Sequence, residues 1–138
     1  MKIYRLLISL VVLLTVLAAC GPAEVAVEEV VLTVGGNAYT QAQLEALGTQ
    51  TTDYTNKDGE TTTYTGVPLA ALLQDAGVSG SGTLVFTAAD GFEADMELAE
   101  ALACADCIVA FDDGSLRMVM PDMSGKLQVK DVIEITVQ

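Results

Sequence analysis

The segment Gly66-Val67-Pro68-Leu69-Ala70-Ala71-Leu72-Leu73-Gln74-Asp75-Ala76-Gly77-Val78 carries a start, an apolar stripe and a stop for one short helix. Proline is accepted in a first helical turn, where its missing N–H would have no partner, so Pro68 marks the start. Leu69, Leu72 and Leu73 recur at helical spacing and face inward, and Gly77 supplies the C-terminal stop. On the N-terminal side, Thr49 to Thr65 is polar and Thr-rich, with Asn56-Lys57-Asp58-Gly59 as the turn between two short strands. On the C-terminal side, Leu84, Phe86 and Ala88 alternate with Val85 and Thr87 in a strand that runs into Asp90-Gly91. A helix set between strand pairs predicts a domain with both element types and no long helical array.

Further out the same pattern continues. Val30 to Val34 is β-branched and apolar, as a buried strand requires. Thr40-Gln41-Ala42-Gln43 has capping-box spacing, Leu44 and Leu47 form a stripe, and Gly48 ends that helix. Phe92, Ala94, Met96 and Leu98 alternate with Glu93, Asp95 and Glu97, giving a packed and a solvated face. Glu97 to Ala103 is a brief helix. Cys107 to Phe111 and Leu116 to Met120 are strands joined by Asp112-Asp113-Gly114, and Val132 to Val137 closes the chain. The fold class is therefore α+β, mixed and strand-rich, with two or three short helices.

The chain has 138 residues, 6 basic and 19 acidic side chains, and a formal charge of −13. Without a basic run it has no footprint for nucleic acid. Histidine and tryptophan are absent, which removes every triad and zinc site built on imidazole. Lys2 and Arg5 precede an apolar run from Leu6 to Ala19 that ends Leu17-Ala18-Ala19-Cys20, the pattern of a lipoprotein signal with Cys20 as the lipidation site. The run is shorter than the roughly 20 apolar residues a membrane span needs. The expected organisation is a signal peptide at 1–19, a lipidated tether at 20–29 and a domain at 30–138. Removing 19 of the 138 residues, Lys2 and Arg5 among them, leaves 119 residues with 4 basic side chains at formally −15. Such a domain is repelled by anionic head groups, so acyl chains on Cys20 make the membrane attachment. It also disfavours anionic ligands, except where its few cations converge. The expected location is the extracytoplasmic side of the cell membrane or outer membrane.

Four stretches in register resemble one family. Gly66-Val67-Pro68-Leu69 with Leu72-Leu73, then Ala76-Gly77-Val78, then Ala89-Asp90-Gly91-Phe92, and finally Leu116-Arg117-Met118-Val119-Met120-Pro121 with Gly125 and Val129-Lys130, are similar to the oxidoreductase molybdopterin-binding domain of sulfite-oxidase-like fold. The resemblance runs from about Val30 to Gln138. It implies that fold, and in catalytic members a Cys thiolate after the first helix that ligates molybdenum, a soft ligand suited to such a centre. The corresponding stretch, Gly48 to Tyr54, holds Thr49, Thr51, Thr52 and Asp53 and no Cys. The Arg and His residues that hold pterin phosphate or substrate oxyanion in such enzymes are mostly missing, leaving Arg117, Lys126 and Lys130 as cations near a ligand.

The resemblance gives Ser124, Gly125, Lys126 and Lys130 as candidate cofactor-binding residues, because the matching loop in relatives touches the pterin. A Gly-containing loop exposes backbone N–H groups, and Lys adds point charge. A plain turn with two solvated Lys side chains is the equal alternative. With Cys20 set aside for lipid, Cys104 and Cys107 remain as an even pair in a disulfide-permissive compartment. Zinc would need two more ligands, and Asp106 between the thiols disfavours the thiolate a redox dithiol needs, so a structural disulfide is expected. Asp58-Gly59 and Asp112-Asp113-Gly114 miss the register of a calcium loop and read as hairpin turns. Arg117, within a strand, pairs with a carboxylate or faces a ligand.

The composite expectation is an exported lipid-anchored protein whose molybdopterin-oxidoreductase-like domain is a noncatalytic ligand- or partner-binding module. No catalytic or metal-ligating residue is assigned, and molybdopterin enters by resemblance only. The alternatives are a molybdopterin-binding oxidoreductase or electron-transfer accessory, and a structural envelope component whose acidic surface meets a cationic partner.

Overall fold

In the computed structural model, which describes residues 27–138, two sheets enclose one main core. The expected signal peptide, Cys20 and most of the expected tether lie outside the described residues. In chain order the elements are β1 (Val30–Val34), β2 (Asn37–Thr40), α1 (Gln41–Ala46), β3 (Gln50–Thr55), β4 (Thr61–Pro68), α2 (Leu69–Asp75), β5 (Thr83–Ala88), β6 (Glu93–Glu97), α3 (Leu98–Ala103), β7 (Ile108–Asp112), β8 (Ser115–Val119), a 3₁₀ turn (Gly125–Leu127) and β9 (Val132–Val137). The first sheet has the order β2-β1-β9-β5-β6 and the second β3-β4-β7-β8. Only β1 and β9 run parallel among the paired strands described. The fold is thus mixed α+β and strand-rich, with three short α-helices among the described residues.

The helix boundaries follow the chemistry of their ends. Thr40 caps α1 as a full capping box: its Oγ1 accepts from the Gln43 N–H, and its own N–H donates to Gln43 Oε1 at 2.8 Å. Helix α2 ends in a Schellman motif, with Val78 N–H donating to Leu73 O at 2.8 Å and Gly77 N–H to Gln74 O at 3.0 Å. Gly77 takes φ +71°, a conformation that disfavours any side chain. Pro68 is the last residue of β4 and flanks the helix instead of entering its first turn. Its extended conformation lets Val67 and Pro68 still pair with Val109 and Ile108.

Both sheets, all three α-helices and the 127–129 segment contribute to the core, which includes Leu32, Leu44, Leu69, Leu73, Phe86, Leu98, Met118 and Ile135. Three local expectations change. β2 is an additional strand, joined to β1 by Gly35-Gly36, both at positive φ as a two-residue hairpin turn demands. Phe92 lies outside the β6 ladder in the turn after β5 and is 48% exposed, so the packed face of β6 starts at Ala94. Val85 is buried although it points away from Leu84 and Phe86, because β5 is an interior strand flanked by β9 and β6. Asp113 and Gly114 both take positive φ, so the β7–β8 connection is an ordinary tight hairpin.

Gly66 is fixed by space. A Cβ there would lie 2.2 Å from Val109 O and 2.5 Å from Ala110 Cα, so β4 approaches β7 more closely than any side chain permits.

Candidate functional site

Strand periodicity gives the second sheet two unlike faces. Leu116 and Met118 on β8, with Val109 on β7, point into the main core. Arg117 and Val119 point the other way, with Ile108 and Ala110, and there Ile108, Ala110 and Val119 form a second small apolar cluster against Tyr54 and Tyr64. Gly66, Ala110, Arg117 and Lys130 make one cross-strand row, through the register pairs Gly66–Ala110 and Ala110–Arg117 and the isolated bridge Arg117–Lys130. The two smallest residues of that row leave the face open beside the largest.

Arg117 occupies that opening. Its guanidinium carbon lies 4.8 Å from the centre of the Tyr64 ring, and Nη1 donates to Tyr64 Oη at 2.9 Å. Nη1 also meets Asp112 Oδ2 at 3.4 Å, the carboxylate pairing foreseen for this residue. The side chain is 11% exposed. Nε is buried without a hydrogen-bond partner, and no hydrogen bond from Nη2 occurs among the described residues. Stacking on an aromatic face and a planar fork of donors are properties of arginine that lysine does not share.

Around Arg117 opens a cleft of about 450 Å³, walled by the β3–β4 hairpin on one side and the 125–130 segment on the other. Tyr54, Tyr64, Gln128, Lys57 and Lys130 line it, with Asp58 and Glu60 on the same wall. Of the four basic residues after position 20, three line this one cleft. The hairpin is shaped by Asn56, whose Oδ1 accepts from the N–H groups of Asp58 and Glu60 at 2.9 and 3.0 Å. The opposite wall is pinned by Gln128, whose Oε1 accepts from Met120 N–H at 2.9 Å while its Nε2 donates to Met120 O at 2.6 Å. One side chain thus reproduces a pair of ladder bonds and holds an otherwise irregular segment. Met118 N–H donating to Val129 O at 2.8 Å ties the same segment to β8.

The four residues selected from sequence separate. Gly125 and Lys130 line the cleft, whereas Ser124 faces another hollow with Glu100, Ala103, Cys104, Met123 and Leu127. Lys126 is exposed on the 3₁₀ turn and lines neither. Sequence reasoning missed Tyr54, Tyr64, Lys57 and Gln128. The contribution of the first three depends on the β3–β4 ribbon meeting β8, a contact more than 50 residues apart along the chain, and that of Gln128 on its bonds to Met120.

Cys104 and Cys107 are joined by a disulfide at the end of α3, with Cα atoms 5.5 Å apart. Thr52, the buried residue of the Gly48–Tyr54 stretch, donates from Oγ1 to Asp106 O at 3.0 Å. A thiolate-held molybdenum centre does not fit this donor set. The two thiols of the described residues are bonded to each other, and the buried hydroxyl of the Gly48–Tyr54 stretch, that of Thr52, is committed to a backbone carbonyl.

The domain is thus an α+β pair of sheets with a cleft on the outer face of the smaller one. The model of the oxidoreductase molybdopterin-binding domain matches residues 23–138, and the chain belongs to this family. No curated protein matches the chain.

Proposed function

We propose that this protein is an exported, lipid-anchored member of the molybdopterin-binding oxidoreductase family that binds a small anionic ligand in the Arg117 cleft without catalysing a reaction. The observation that carries the reading is the convergence of Lys57, Arg117 and Lys130 on one cleft in a strongly acidic chain. Random placement of so few cations would scatter them among carboxylates, where each adds little. Here Arg117 is almost fully buried, stacked and braced, so its charge acts in a medium less polar than water and keeps a fixed direction. Asp58, Glu60 and Asp112 keep the cleft near neutrality, so selectivity comes from oriented donors more than from net charge.

The lipidated Cys20 holds the domain at the extracytoplasmic face of the membrane. The missing Cys between Gly48 and Tyr54 and the paired state of Cys104 and Cys107 support a noncatalytic role. Purification from the native host, followed by metal analysis, pterin fluorescence and native mass spectrometry, tests the reading. The expected result is a substoichiometric molybdenum content and a retained acidic small molecule that is released by Arg117→Met. Stoichiometric molybdenum with pterin fluorescence would overturn it in favour of a cofactor-dependent oxidoreductase.

A further inference from the structure

The Cys104–Cys107 loop joins α3 to β7, and its two sulfurs stand in unlike places. Cys107 is fully buried and belongs to the main core. Cys104 is half-buried and lines the open hollow formed with Glu100, Ala103, Met123, Ser124 and Leu127. The loop between them also anchors a distant strand. Ala105 O accepts from Gln50 Nε2 at 2.9 Å, and Asp106 O accepts from Thr52 Oγ1 at 3.0 Å. Cys107 O accepts from Leu69 N–H at 2.8 Å, at the start of α2. β3 is an edge strand whose only ladder partner among the described residues is β4, so the disulfide loop is a further attachment at its start, beside the packing of Tyr54 on the Ile108, Ala110 and Val119 cluster at its end. Residues 54–58, which follow directly, form the hairpin wall of the Arg117 cleft.

We propose that Cys104–Cys107 is a redox latch, opened by a dithiol reductant that attacks Cys104, and that its opening frees β3 and the hairpin wall it carries. The reductant's thiolate approaches Cys104 Sγ through the hollow. A new sulfur–sulfur bond forms there as the Cys104–Cys107 bond breaks, and Cys107 leaves with the electron pair and takes up a proton. The reductant's second thiol then displaces Cys104, which takes the second proton, and the reductant departs as its own disulfide. Two electrons and two protons pass to the protein, and the dithiol supplies both. Attack at Cys107 is closed by burial, and its departure as a thiolate into apolar surroundings is costly, so a monothiol opens the latch poorly. Without the short closed loop the carbonyls of Ala105 and Asp106 are no longer held against β3, and the segment that loses order is β3 with its hairpin. Low-stability units of this kind are drawn from edges and loops, while interior strands stay protected.

The test uses the full mature chain with its disulfide formed and no ligand added, so it reads the latch whatever the cleft binds. Excess glutathione, an acid quench and peptide mapping trap and locate the small mixed-disulfide fraction that a monothiol forms. The adduct is expected on Cys104 at least tenfold over Cys107. Reduction with dithiothreitol is expected to speed amide hydrogen exchange at residues 50–58 tenfold or more, with less than twofold change in β5 and β9. Thr52→Val, which keeps the disulfide, is expected to reproduce part of that acceleration in the oxidised protein. An adduct on Cys107 or shared equally, unchanged exchange at 50–58, or uniform acceleration through β5 and β9 would each overturn the proposal. The last outcome would make the bridge a staple for the whole domain. Failure here leaves the anion-binding reading standing, and loss of anion binding leaves the exchange result standing.

Discussion

Arg117 and Tyr64, 53 residues apart, meet twice, since the guanidinium lies 4.8 Å from the ring centre while Nη1 donates to the phenol oxygen at 2.9 Å. The contact fastens the β3–β4 ribbon to β8 and fixes the direction in which the remaining guanidinium nitrogens point. Arg117→Met keeps bulk and removes both the charge and the fork. With inorganic phosphate as probe, titration followed by amide NMR is expected to shift Gly125 and Lys130 in the parent protein. In the variant the affinity should fall about tenfold or more, the equivalent of about 1.4 kcal/mol. Equal affinity in the two proteins would place the anion elsewhere.

Gly66 tolerates no side chain, because Val109 O stands 2.2 Å from where its Cβ would be. Gly66→Ala must push β4 from β7 and open the seam between the cleft face and the core. A loss of about 3 kcal/mol or more is expected in guanidinium unfolding, in the range of the most damaging single substitutions. Gly125→Ala meets no atom within 4 Å and serves as the control, with a change under about 1 kcal/mol.

The Tyr39 hydroxyl donates to Asp75 Oδ2 at 2.8 Å. Burial, then that hydrogen bond and the carboxylate charge, push its pKa up to about 12. In the unfolded chain the phenol titrates near 10. The raised value means that Tyr39 stabilises the fold fully below about pH 10 and loses that contribution as pH rises toward 12. Denaturant midpoints measured from pH 8 to 12 should therefore fall in the upper half of the range, and Tyr39→Phe should flatten that fall.

Gln128 binds both backbone groups of Met120. Gln128→Ala leaves the Met120 N–H without its partner and its C=O with only the long bond from Met123 N–H at 3.4 Å, at a cost of about 1–3 kcal/mol. Gln128→Glu keeps one acceptor and loses the donor, so its loss should be intermediate. Thermal unfolding of the three proteins checks the order.

Much of the architecture is legible in the sequence because it rests on local rules. The Thr40–Gln43 box, the Gly77 stop and the alternation in 93–97 each act within a few residues and appear where the chain alone predicts. What depends on distant parts is not legible in that way. Nothing near Tyr64 signals that its ring will lie under Arg117, and nothing in Ser124-Gly125-Lys126 signals that Ser124 and Gly125 will face different hollows. The 3₁₀ turn rotates successive side chains by about 120°, so neighbours in a sequence motif diverge in space. The strand β2 was hidden because it is only four residues long and has no apolar alternation.

The gathering of three cations at one cleft also shapes how fast anything arrives there. With Lys126 the one cation elsewhere among the described residues, the rest of the surface repels an anion over ~30 Å of approach at ~0.01 M salt. Most charged binding partners associate more slowly as salt is added, because steering is screened. For an anion reaching Arg117 the sign reverses: screening weakens the repulsive shell and leaves the desolvated, short-range donors nearly untouched. The cleft would then fill faster in a salty medium than in a dilute one, making ionic strength an accelerator of capture.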